Sequence, residues 1–203
     1  CLDRSSFPLG HYSKPEIRQM ARDFGYEELS KKPESYEICF VPDNDYRGFL
    51  KRRVPGLEES VKGGRFVNAA GEFLGNHEGY PFYTIGQRKG LGGGFKTPMF
   101  VTEIIPGSNT VVLGEIDELI RNGMSVHQIN MQKYTGITEG MEAITQVRYN
   151  DRGVMASLHP SGSNVNVEFF ANVRGIAPGQ SAVFYEGDDV IGGGIISSSI
   201  KWN

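Results

Sequence analysis

Cysteine has the widest chemical scope of any residue type in this chain, and it occurs twice, as Cys1 and Cys39. A thiolate can attack an electrophile, carry a transferred sulfur or exchange with a disulfide. To do so it needs solvent access and a pKa lowered by a basic neighbour or a helix terminus. Cys39 lies in Ile38-Cys39-Phe40-Val41, where the competing role is that of a small buried hydrophobe. A helix capped by Asp43 or Asn44 would supply a suitable field nearby, so the local sequence leaves both roles open. The glycine-dense run Gly86-Gln87-Arg88-Lys89-Gly90-Leu91-Gly92-Gly93-Gly94 is the second candidate. Clustered glycines let a backbone approach a ligand closely, and Arg88 and Lys89 offer charge to phosphate. The run lacks the lysine-containing phosphate-loop pattern and has no strand–turn–helix setting for a dinucleotide. It reads either as a tight structural turn or as an anion or nucleic-acid contact.

Three further positions have chemistry suited to RNA. Arg148-Tyr149 closes an apparent strand, and there a guanidinium could meet phosphate while a phenol ring stacks on a splayed base. The bland alternative is a solvated barrel rim. Gln180 follows Pro178-Gly179 in a turn, where its amide could reach a base edge or simply face water. Tyr80, Phe82 and Tyr83 lie near His77, suited to a stacking surface or to a core. The histidines His11, His77, His127 and His159 show no metal-ligand spacing, so no metal site is expected. Carboxylates and histidines fall in no triad or dyad order.

The elements that must position these groups follow from periodicity. Ser13-Lys14-Pro15-Glu16 is a capping box with proline in the first turn, and Ile17, Met20, Ala21 and Phe24 recur at helical spacing. A helix over 14–24 with one buried stripe is predicted, closed by Gly25. A short helix holding Tyr46, Phe49 and Leu50 follows Pro42. Beyond Gly56 the period changes to two. Strands are expected at 65–68, 72–77, 99–105 and 110–114, the last two forming a hairpin around Pro106-Gly107-Ser108-Asn109. Residues 115–123 read as a short helix or turn. Six short strands follow, at 125–131, 142–149, 154–158, 165–170, 181–185 and 190–196, which argues for a small closed antiparallel barrel without open edges.

Bulk properties bound the partners. The net charge is −3, which gives no general case for binding nucleic acid. The charge is uneven, however: residues 1–105 hold 15 Lys and Arg against 14 Asp and Glu, and residues 106–203 hold 6 against 10. Any contact with a polyanion should therefore be local. Two cysteines exclude a disulfide-rich scaffold. No apolar run or basic leader suggests a membrane, so a cytoplasmic protein is expected. The opening Cys1-Leu2-Asp3-Arg4 reads like the interior of something longer.

From Phe7-Pro8-Leu9-Gly10 almost to its end, the sequence resembles the tRNA-specific 2-thiouridylase family (MnmA/TrmU type). The resemblance rests on Glu37-Ile38-Cys39-Phe40-Val41 with Asp45-Tyr46 and Phe49-Leu50, and on Tyr83-Thr84-Ile85 running into the glycine-dense stretch. It rests further on Val147-Arg148-Tyr149, and on Pro178-Gly179-Gln180-Ser181-Ala182-Val183-Phe184-Tyr185 with Gly192-Gly193-Gly194-Ile195-Ile196.

The resemblance implies a mainly β chain with an N-terminal helical segment, a small central β-rich domain and a six-stranded antiparallel barrel. It divides the chain into a remnant of a catalytic domain (1–45), a central tRNA-binding domain (46–115) and the barrel (116–203). It implies that ATP, bound in a preceding domain, adenylates C2 of the wobble uridine in the tRNA anticodon stem-loop. Persulfide sulfur received from a carrier protein on Cys39 then replaces the oxygen. Arg148, Tyr149 and Gln180 fall at tRNA-contacting positions, and Arg88 and Lys89 join them as candidates. Tyr36 and Glu37 depart from the Gln and Asp usual in the family, and the Ser-Gly-Gly-x-Asp-Ser loop is absent. No cofactor is therefore expected on this chain, and no thiolation by it alone. The alternative is a non-catalytic RNA-binding barrel module.

Overall fold

The computed structural model describes residues 6–32, 41, 45–149 and 151–202. Cys1 and Cys39 lie outside them. Residues 1–53 and 54–203 form two compact units.

In the first unit, helix α1 (Lys14–Asp23) begins with the expected capping box, the Ser13 amide donating to the Glu16 carboxylate at 2.7 Å. The Ser13 hydroxyl donates to the same carboxylate at 2.7 Å, and it and the amide hold the Glu16 carboxyl below its ordinary pKa. Ile17, Met20 and Ala21 are half-buried. Phe24, expected to complete the buried stripe, is 74% exposed. A second helix, α2 (Glu27–Lys31), stands where no helix was expected, because its five residues are too few to show a period. Helix α3 (Tyr46–Arg53) is the short helix predicted after Pro42, with Lys51, Arg52 and Arg53 at its carbonyl-rich end, where positive charge is favoured.

The second unit opens with a single helical turn, α4 (Leu57–Ser60), and a four-stranded sheet made of β1 (Gly64–Val67), β2 (Phe73–His77), β3 (Phe100–Ile105) and β4 (Thr110–Gly114). Its order is β2-β1-β4-β3. The β3–β4 hairpin turns at 106–109 as expected, with Asn109 in the left-handed region at φ 48°. The Asn109 side chain ties the turn down: Nδ2 donates to the Val61 carbonyl at 2.5 Å, and Oδ1 accepts the Tyr80 amide at 3.1 Å. The sheet is mixed, since β1 pairs β4 in parallel.

A 3-10 turn at Ile116–Leu119 then leads into the barrel. Its strands are β5 (Ile120–Met131), β6 (Met141–Gln146), β7 (Val154–Ser161), β8 (Asn164–Arg174), β9 (Ser181–Glu186) and β10 (Asp189–Ile200), closed in the order β10-β5-β8-β7-β6-β9. All barrel pairings are antiparallel. Alternate residues point inward, and Met124, Val126, Leu158, Val167, Phe184, Ile191 and Ile196 fill the interior at no more than 1% exposure. Each large side chain buried this fully contributes about 1.5–3 kcal/mol. The helix or turn expected over 115–123 covers only 116–119. Strand β5 starts at once, with Ile120 paired to Arg174.

Closure defines two ends. One gathers the start of β5, the β6–β7 turn, the β8–β9 connection and the end of β10. The other gathers the β5–β6, β7–β8 and β9–β10 connections. No helix among the described residues is long and apolar enough to cross a membrane.

Candidate nucleic-acid interface

Arg148 and Tyr149 stand just beyond β6, not within it as the sequence suggested. The strand stops at Gln146 because the chain turns: the Asp151 amide donates to the Arg148 carbonyl at 3.1 Å. The Asp151 carboxylate in turn accepts from the Gly153 amide at 3.3 Å and the Val147 amide at 3.5 Å. This turn pushes Tyr149 out to 96% exposure, with a ring face open to solvent. An exposed phenol ring costs burial free energy that a core tyrosine would gain, and it suits stacking on a base.

The Arg148 guanidinium reaches across to the β8–β9 connection. It lies so close over Gly175 that a β-carbon there would sit 3.3 Å from Nη1. The same connection carries Gln180, exposed, with its backbone fixed between the Ala177 carbonyl (3.2 Å) and the Ile196 amide (2.8 Å). The fold therefore brings Arg148, Tyr149 and the Gln180 connection to one end of the barrel.

Gln180 also lines a cleft of about 650 Å³ between this end of the barrel and the four-stranded sheet. Tyr80, Thr84 and Ile104 form one wall; Arg121, Gln180 and Ser198 belong to the other. Sequence reasoning missed Arg121, because it lay in a segment read as helix or turn. Its Nη1 donates to the Glu118 and Ile120 carbonyls at 2.6 and 2.8 Å, which fixes the link between sheet and barrel.

The glycine-dense loop leaves from the cleft wall at Thr84-Ile85. Gln87 organises it: Oε1 accepts the Thr84 amide at 3.0 Å, and Nε2 donates to the Lys89 carbonyl at 2.8 Å. Arg88 and Lys89 are exposed on this loop. Gly90 and Gly92, at φ 74° and 84°, take backbone angles that side chains resist.

The aromatic candidates divide. Tyr83 and Phe82 are buried, and Tyr83 forms a cluster with Phe66 and His77 whose ring centroids are 4.9–5.2 Å apart. Burial holds the His77 pKa below its ordinary value, opposed in part by a backbone hydrogen bond with Arg65. That cluster is core, and only Tyr80 reaches the cleft. Among the described residues no three His, Cys, Asp or Glu side chains come together as a metal site.

What fold and site define is a β-rich protein whose closed barrel presents guanidinium, phenol and amide groups at one end, beside a cleft against the four-stranded sheet. Comparison with known proteins narrows the class. The tRNA methyl transferase HUP domain family matches residues 1–43, the tRNA methyl transferase PRC-barrel domain family residues 47–115, and the aminomethyltransferase beta-barrel domain family residues 121–196. The tRNA-specific 2-thiouridylase MnmA of Amoebophilus asiaticus is 58% identical over 201 residues, covering 98% of this chain and 54% of that protein. Its namesake in Cytophaga hutchinsonii is also 58% identical, over 98% of this chain and 55% of that protein. That of Salinibacter ruber is 50% identical, over 96% and 51%. The chain belongs to the tRNA-specific 2-thiouridylase family. It spans about half the length of the curated relatives it matches.

Proposed function

We propose that this chain is the tRNA-holding and sulfur-delivering part of a tRNA 2-thiouridylase, with Cys39 as the residue that carries the transferred sulfur. Identity of 58% with proteins named tRNA-specific 2-thiouridylase, over nearly the whole chain, is the observation that carries the proposal. In this reading residues 1–45 belong to a catalytic domain, 46–115 to a central tRNA-binding domain and 116–203 to the barrel. The site of action is the cytoplasm.

The chemistry divides between ATP and thiol. A ring carbonyl oxygen leaves poorly, so C2 of the wobble uridine is first adenylated by ATP, whose site belongs to the part of the relatives that this chain does not span. Cys39 receives a terminal sulfur as a persulfide from a carrier protein. The terminal sulfur attacks C2 and AMP departs with the oxygen. A second thiol then attacks the Cys39 sulfur, forming a disulfide with Cys39 and breaking its bond to the transferred sulfur, which stays on C2, an ordinary thiol exchange. The target base lies in an anticodon loop, where extrusion costs least because the base is already unpaired. Arg148, Tyr149 and Gln180, with Arg88 and Lys89, hold the tRNA. Exposure of the Arg148–Tyr149 turn and its juxtaposition with the Gln180 connection support that role.

The test is Cys39→Ser in the protein at its native length, assayed for 2-thiouridine in tRNA. Thiolation should fall to background while tRNA affinity stays within about twofold. Retained thiolation would remove Cys39 from the mechanism. The 203-residue chain alone should not thiolate tRNA; if it binds tRNA yet no longer form of the protein thiolates, the non-catalytic module is the better reading.

A further inference from the structure

The charges of the barrel are sorted by end. Arg121, Arg148, Arg152, Arg174 and Lys201, five of the six Lys and Arg from Ile120 onward, belong to the end that carries Tyr149 and Gln180. Ile120 pairs with Arg174 across β5 and β8, and Arg148 packs over Gly175 immediately beyond it, so these positions adjoin. At this end Asp151 is turned onto the Val147 and Gly153 amides, and Glu168 stands on the flank between the ends, beside Trp202 and 3.9 Å from His159. Nearby on the link from the sheet stand Glu115, Asp117 and Glu118, of which Glu118 turns back to accept the Glu115 amide at 2.7 Å. Among the described residues Arg148, Arg152, Arg174 and Lys201 have no carboxylate within 4 Å.

The opposite end is the reverse. It holds Glu139, Glu142, Glu186, Asp188 and Asp189 around a single cation, Lys133, which is already paired with Glu186 at 2.5 Å and Asp189 at 2.7 Å. A nearly neutral barrel is thus a strong charge dipole, and a dipole of this kind orients a polyanion as well as attracting it.

We propose that Arg152, Arg174 and Lys201 extend the Arg148–Tyr149 site into a continuous RNA-phosphate surface running to the cleft, and that the acidic end repels RNA so that it docks in one orientation. The inference rests on the reading of the chain as a tRNA-modifying protein and adds residues to it. RNA is favoured over other polyanions because the same surface offers an open phenol ring at Tyr149 and hydroxyl and amide groups at the cleft, which read bases and ribose.

The experiment measures binding of an unmodified tRNA transcript with a wobble uridine, across a salt series, by the protein at its native length. Arg152→Ala with Arg174→Ala should weaken binding about tenfold near physiological salt and flatten the slope of log K against log salt by roughly 1.5–2. Unfolding midpoints should match the parent. Asp188→Lys, which weakens the repulsion at the acidic end, should tighten binding about twofold and steepen the slope. An unchanged slope in the natively folded double variant overturns this inference alone, as does unchanged or weaker binding by Asp188→Lys. Equal binding of phosphatidylserine vesicles, lost in the same double variant, would reassign the surface to membranes. If the parent protein binds no tRNA at all, the functional reading beneath it falls as well.

Discussion

His77 packs against the Phe66 and Tyr83 rings as part of the core. Its Nδ1 accepts the Gly79 amide at 3.0 Å, and an amide can only donate, so Nδ1 carries no proton in the folded state. Protonation would break that bond and place a charge among the Phe66 and Tyr83 rings. The folded pKa is therefore depressed below the usual 6.5. For a base shifted downward, the stabilisation is complete above the unfolded value and is lost as pH falls below it, because the unfolded chain takes up the proton more readily. The expected result is a wild-type stability that declines from pH 7.5 to 5 relative to His77→Phe, which keeps a ring and cannot titrate. Parallel denaturation curves across that range would refute it. The sequence placed His77 next to aromatics but could not say whether they formed a surface or a core, because that depends on the pairing of β1 with β2.

At the scale of elements, legibility followed locality. The β3–β4 hairpin and the six barrel strands were visible because their alternation and turn residues are local. The parallel β1–β4 pair was not, since residues about 45 apart in sequence leave no local trace of pairing. Strand β5 was expected to start at Ser125, because Arg121, Asn122 and Gly123 interrupt the alternation where the register slips between Arg121 and Gly123. The Gly192-Gly193-Gly194 run of β10 was visible only as a motif, and the fold gives its reason. A β-carbon on Gly193 would meet the Ala182 carbonyl oxygen at 2.4 Å, a backbone atom that cannot swing aside. The strand needs glycine there to approach β9 closely while its register with β5 shifts between Gly193 and Ile195. Gly193→Ala should therefore destabilise the barrel by roughly 1–3 kcal/mol, read as a lower denaturant midpoint. A midpoint equal to the parent would show that β9 yields at little cost.

At the scale of the whole molecule, the two units differ in how much core they possess. From Val54 onward the chain closes a barrel around fully buried side chains and pairs both edges of β1 and of β4 in its sheet. Within the first unit α1 buries no residue fully, and Phe7, Phe24 and Leu29 are 71%, 74% and 64% exposed. Burial of apolar area is what offsets the entropy of ordering a chain, about 1–2 kcal/mol per residue for the backbone alone. Residues 54–203 meet that requirement, whereas among the described residues of the first unit only Ser30 and Val41 are buried. A protein beginning at Val54 should therefore keep its β circular dichroism and unfold in one cooperative transition, whereas residues 1–53 alone should show no thermal transition. This division also explains why the tRNA-facing candidates could be placed by geometry. Arg148, Tyr149, Gln180, Arg88 and Lys89 all belong to the self-sufficient unit, while Cys39 lies outside the described residues. A cooperative transition from residues 1–53 alone would refute this division of the core.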